Sequence, residues 1–105
     1  MDKALRELTW KRSSGFCEVC GLGLSPFWHW SHRKGKAQGG KYEIANGLAT
    51  HSECHLETIT NYPARAYENG WLIRRNQNPL EVPVLLYGNR WVLLDDLGNY
   101  VSTNA

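Results

Sequence analysis

The sequence predicts a small single-domain α+β protein: an N-terminal helix, a short stapled centre and a C-terminal antiparallel β extension. Three observations carry that reading. Apolar and charged residues alternate with helical spacing over residues 2–12. Two pairs of ligand-type side chains, Cys17-x2-Cys20 and His51-x2-Cys54, stand about thirty residues apart. The last part of the chain breaks into short β-type runs separated by Gly88-Asn89 and by Asp96-Leu97-Gly98-Asn99.

Size and composition set the outer limits. A chain of 105 residues supports one domain with a modest core. Its 42% hydrophobic content belongs to a globular rather than a disordered chain. No apolar run approaches the ~18 residues of a membrane span, so no membrane partner is expected. The charged start contains no secretory segment, which leads to the expectation of a cytoplasmic protein with reduced cysteines. Residues 1–50 hold eight Lys/Arg against four Asp/Glu, a net +4, whereas residues 51–105 hold four against six, a net −2. The basic half suits a polyanionic partner. Ordinary solvated surface charge is the plain alternative.

Taken in order, residues 2–12 form a short amphipathic helix with Asp2 near its start, closed by Ser13-Ser14-Gly15. Residues 16–23 form a tight turn in which Cys17-x-x-Cys20 precedes Gly21 and Gly23. Residues 27–32 make an aromatic strand in which Trp28 and Trp30 are packing residues. Residues 34–41, with Gly35, Gly39 and Gly40, make a mobile basic loop. Residues 47–50 return as a strand, and Ser52 caps a helix over 53–60. A second helix follows Pro63 and ends near Gly70. Residues 71–75 read as a strand, 76–83 as turns, and 84–87, 90–95 and 100–102 as strands.

Cys17, Cys20, His51 and Cys54 offer three sulfurs and one nitrogen, a common tetrahedral zinc set. Such a site is closed, so its task is folding rather than catalysis. Unlinked thiols and a redox Cys-x-x-Cys are the alternatives, but the βαβ context of the latter is missing. All four histidines, His29, His32, His51 and His55, fall between Trp28 and His55. Imidazole serves both as a base near neutral pH and as a ligand for divalent metals, so a second centre is expected in the same stretch.

The ordered set Cys17-x-x-Cys20, Ser31-His32-Arg33, Gln38-Gly39-Gly40, Asn46-Gly47-Leu48 and Cys54-His55 resembles the HNH endonucleases, especially the small zinc-containing type of actinobacterial phages. The resemblance covers about residues 14–75, leaving 76–105 as a β-rich extension. It implies a ββα-metal finger that hydrolyses DNA phosphodiester bonds and leaves 5′-phosphate ends. His32 matches the general base, Asn46 the residue that holds the hairpin, and His55 a ligand of a catalytic Mg²⁺ or Mn²⁺. Arg33, Lys34, Lys36 and Lys41 surround this point as expected phosphate contacts. Phage packaging proteins are the partners that the resemblance implies. Two positions depart from the pattern. His51 stands where the family has cysteine, and Ser31 stands where it has histidine or aspartate as second catalytic-metal ligand. A hydroxyl is a poor ligand, so His29 or water is the alternative to Ser31. Position 59, one turn beyond His55, is Ile rather than the extra histidine of some relatives. A zinc-stapled DNA-binding module without catalysis, and a purely structural zinc protein, are the other two readings.

Overall fold

The computed structural model describes residues 2–103. The ends of the expected domain, residues 1 and 104–105, lie outside the described residues.

Helix α1 (Lys3–Ser13) starts where the Asp2 carboxylate accepts a 2.9 Å hydrogen bond from the Ala4 amide. It stops at Ser14, whose φ of 56° is left-handed. The expected apolar stripe is not what this helix buries. Leu8 and Trp10 are exposed, while Thr9, Arg12 and Ser13 face the interior. Thr9 Oγ1 accepts a 2.9 Å hydrogen bond from Trp30 Nε1, so the helix seats on a polar contact beside the half-buried Leu5. Leu5 packs on the small Trp28, Trp30 and Ala49 cluster, and both tryptophans are buried as expected of packing residues.

The tight turn after α1 is closed by an antiparallel bridge between Phe16 and Gly23. Strands β1 (His29–His32) and β2 (Gly47–Thr50) then pair antiparallel, with His29 opposite Thr50 and His32 opposite Gly47. Gly47 is required there. A Cβ at that position would lie 1.9 Å from the Trp30 ring, so any side chain would displace the tryptophan. The loop between the strands contains two 3₁₀ turns (Lys36–Gln38 and Ile44–Asn46) and is fastened by Asn46.

Beyond β2 the chain is helical over residues 52–61, and Cys54–Ile59 follow π-type spacing. Ser52 lies inside this helix and donates to the Glu53 carboxylate instead of capping a backbone amide, which corrects the expected cap. Helix α2 (Pro63–Glu68) follows, with proline in its first turn where its missing N–H is harmless.

Residues 71–75 are not a strand. The amides of Trp71 and Leu72 both donate to Ala66 O in the termination of α2, and Ile73 N alone reaches across, to Arg33 O. Too few backbone groups remain for a ladder, and buried Trp71 and Ile73 serve as anchors. Strands β3 (Val84–Leu86), β4 (Arg90–Leu94) and β5 (Tyr100–Ser102) form the expected antiparallel sheet in the order β3-β4-β5. Its Val84, Leu86, Val92 and Leu94 fill the main core against Val19, Leu48 and Trp71. Among the described residues no helix is long and apolar enough to cross a membrane.

Candidate metal centres and the histidine-lined cavity

The tight turn and the start of the 52–61 helix bring Cys17, Cys20, His51 and Cys54 together, with their ligand atoms within 4.8 Å of one another. Tetrahedral bonds of about 2.0–2.3 Å give edges of roughly 3.3–3.8 Å, so the cluster is of a size that suits one zinc ion. His51 Nε2 faces the sulfurs, 2.9 Å from Cys20 and 3.8 Å from Cys54. Its Nδ1 stands 3.3 Å from the Glu53 carboxylate, close enough for attraction but not aligned for a hydrogen bond. Burial first, and then the charge of Cys17, pushes the Cys54 thiol above its ordinary value. Gathering thiolates this tightly therefore calls for a compensating cation.

Glu18, between the first two cysteines, fixes the whole turn. It is fully buried and takes both Nε and Nη2 of Arg12, at 2.9 and 2.7 Å. Its carboxylate also accepts from the Ala49 amide and the Tyr100 hydroxyl. Arg12 in turn donates to the carbonyls of Ile44 and Gly47. Sequence reasoning missed this network, because Arg12 lies outside any motif and Glu18 fills an unspecified position of Cys17-x-x-Cys20.

Asn46 is buried at the junction of the hairpin and its loop. Its Oδ1 accepts from the Lys34 amide at 2.7 Å, and its Nδ2 donates to the carbonyls of Lys34 and Lys41. Its own carbonyl accepts from the Arg33 amide. The side chain thereby sets the exit of β1 directly after His32.

Arg33 is a correction to the expected phosphate contacts. It is 0% exposed, and its guanidinium donates to the carbonyls of Gly70, Ala45, Pro79 and Val82. Burial, and then the positive charge of Arg12, lowers its pKa to about 10, which leaves it charged at neutral pH. Four converging carbonyls make this arginine a tie between segments rather than a ligand for phosphate. The three lysines divide. Lys36 borders the cavity that holds the histidines, whereas Lys34 and Lys41 border a separate cleft of about 330 Å³ with Asn46 and Arg75.

The histidine cavity, about 480 Å³ and open to solvent, is lined by His29, His32, His55, Lys36, Arg6, Tyr42, Trp28 and Trp30. His32 packs edge-to-face against Trp30 and Tyr42, with ring centroids 4.9 and 4.6 Å away. Its Nε2 is buried and meets no hydrogen-bond partner among the described residues, so Nδ1 is the nitrogen available to the cavity. Burial first, then the charges of Lys36 and His55, holds His32 below the ordinary imidazole pKa. Burial and then His29 do the same to His55. The π-type turn fixes His55, since its carbonyl accepts from both the amide and the hydroxyl of Thr60. Ser31, 1% exposed, is absent from the lining, and its backbone lies opposite Leu48.

No protein-family model, curated protein or solved structure matches this chain. The site therefore rests on its own geometry. Arg6 and Tyr42 are the lining residues that sequence reasoning did not assign, because they come from α1 and from the loop, outside any ligand spacing.

Proposed function

We propose that this protein is a metal-dependent endonuclease that hydrolyses DNA phosphodiester bonds, with β1, β2 and the His55 helix acting as a ββα-metal finger of the HNH kind. One observation carries the reading: His32 and His55 open into the same cavity as the cations Arg6 and Lys36. A base, a metal ligand and two phosphate-neutralising side chains are what such hydrolysis requires.

In this reading His32 Nδ1 takes a proton from the attacking water, and its lowered pKa keeps it unprotonated at neutral pH. Lys36 and Arg6 hold the phosphate without regard to base sequence. Asn46 acts through the backbone, keeping the end of β1 in place. The imidazole of His55 suits a divalent cation, which when bound supplies Lewis-acid stabilisation of the charge that develops on phosphate. Zinc at the cysteine cluster is structural. The expected setting is the cytoplasm of a cell, or of a phage-infected host, with packaging proteins as partners on the strength of the family resemblance alone.

The test is incubation of supercoiled plasmid with purified protein and Mg²⁺, Mn²⁺ or Co²⁺, with EDTA as the control. Nicked or linear product that needs the ion and disappears in His32→Ala supports the nuclease. The hydroxyl of Ser31, where the resemblance has histidine or aspartate, favours a second reading, a non-catalytic zinc-stapled DNA-binding module. Tight plasmid binding with no cleavage under any ion would establish that module instead.

A further inference from the structure

His29 and His55 come from different elements, one from β1 and one from the helix after β2, and their Nδ1 atoms are 3.0 Å apart. Their rings are nearly perpendicular, at 88°. Two ring nitrogens this close either share one proton or direct both lone pairs at a cation. The second arrangement has a definite size. Two nitrogens about 2.1 Å from one ion, in adjacent positions some 90° apart, are separated by roughly 3.0 Å. The observed 3.0 Å matches such a chelating pair as well as one shared proton, and metal titration separates the two.

We propose that His29 and His55 form a two-imidazole site for a first-row transition dication, with His29 taking the place that the sequence pattern assigns to Ser31. The identity of the neighbours selects the class of metal. Among the described residues no Asp or Glu lines the cavity, so a hard ion such as Mg²⁺ finds no carboxylate there. Imidazole nitrogen suits Mn²⁺, Co²⁺, Ni²⁺ and Zn²⁺, in rising order of affinity up to nickel. Arg6 and Lys36 line the same cavity and repel a bare cation, so a phosphate that neutralises them strengthens metal binding, and the ion strengthens phosphate binding in return. The existence of this site stands on the nitrogen geometry; its task in hydrolysis rests on the nuclease reading above.

The experiment is calorimetric titration of Co²⁺ into the zinc-loaded protein, with and without inorganic phosphate, and with visible absorption recorded in parallel. The expected result is one further Co²⁺ per chain, bound more tightly with phosphate present and far more weakly replaced by Mg²⁺. His29→Ala and His55→Ala should each weaken it by more than about tenfold, the loss typical even of an outer-sphere partner. Ser31→Ala should leave it unchanged. On the wild-type protein, Mn²⁺ should broaden the imidazole NMR signals of His29 and His55 together, a readout that does not depend on how any variant folds. Unbroadened His29, or Ser31→Ala weakening Co²⁺ as much as His29→Ala does, overturns the site. Cobalt binding that needs His29 without plasmid cleavage leaves the site standing and removes the nuclease. Cleavage that survives His29→Ala with cobalt affinity intact removes the site and leaves the nuclease.

Discussion

The Tyr100 hydroxyl donates a 2.6 Å hydrogen bond to the carboxylate of Glu18, tying the last strand to the turn that presents Cys17 and Cys20. The same carboxylate holds Arg12, so helix α1, the cysteine turn and β5 meet at one buried charge. The C-terminal sheet is thus part of the scaffold of the cysteine cluster.

Glu18→Gln should destabilise the whole domain by about 3–5 kcal/mol, because it leaves Arg12 buried without its counter-charge. Tyr100→Phe should cost about 1.5–3 kcal/mol, the value of a hydrogen bond to a charged group. Urea denaturation followed by tryptophan fluorescence measures both. A Glu18→Gln protein as stable as wild type would show that the network is ornamental.

Arg33→Lys should be severely destabilising, since one ammonium cannot satisfy carbonyls from Ala45, Gly70, Pro79 and Val82. Lys36→Ala should leave the melting temperature unchanged within about a degree while weakening DNA binding. Paired thermal melts and filter binding separate the two roles, and a stable, weakly binding Arg33→Lys would return Arg33 to the phosphate ligands.

Removing zinc from Cys17, Cys20, His51 and Cys54 should unfold the domain, because metal-binding free energy here is largely folding free energy. Elemental analysis should give one tightly held zinc per chain. A folded protein devoid of zinc by that assay would contradict the assignment.

Cleavage should persist to lower pH than an ordinary histidine base allows. His32 has a lowered pKa, so its neutral, proton-accepting form survives as pH falls below about 6.5. A cation nearby pushes in the same direction. The sign for stability follows: the unfolded chain takes up protons near pH ~6.5 that the folded chain refuses, so stability declines as pH drops through that value. The acid limb of the rate profile should lie below about 6.5, and His32→Ala should lose ~10²–10⁴-fold in rate. An acid limb above about pH 7 would point to another base.

DNA affinity should fall steeply with salt. Replacing Arg6 and Lys36 together should flatten the log–log slope by about two units, at ~0.9 for each phosphate that the pair neutralises on B-DNA. An unchanged slope would place the backbone elsewhere, with the cleft of Lys34, Lys41 and Arg75 as the next surface to test.

Ligand spacing was legible because chelation is local: Cys-x2-Cys and His-x2-Cys each place two donors on one turn, and four such donors were found together. The helix at residues 3–13, the 47–50 strand and the C-terminal sheet were legible for the same reason, since caps and turns act on neighbouring residues. What the sequence determined by itself was which chemistry was available. Tertiary structure decided where each group went. Arg33 looked like a phosphate ligand until four distant carbonyls enclosed it. Residues 71–75 had a strand's composition, but Trp71 and Leu72 gave their amides to the end of α2 and Arg74 gave its amide to Gln77. His29 met His55 only when strand and helix packed across 26 positions of sequence. A side chain's type fixes what it can bind, but its burial and its partners come from segments remote in the chain, and those neighbours decide whether a charge is a tie, a ligand or a base.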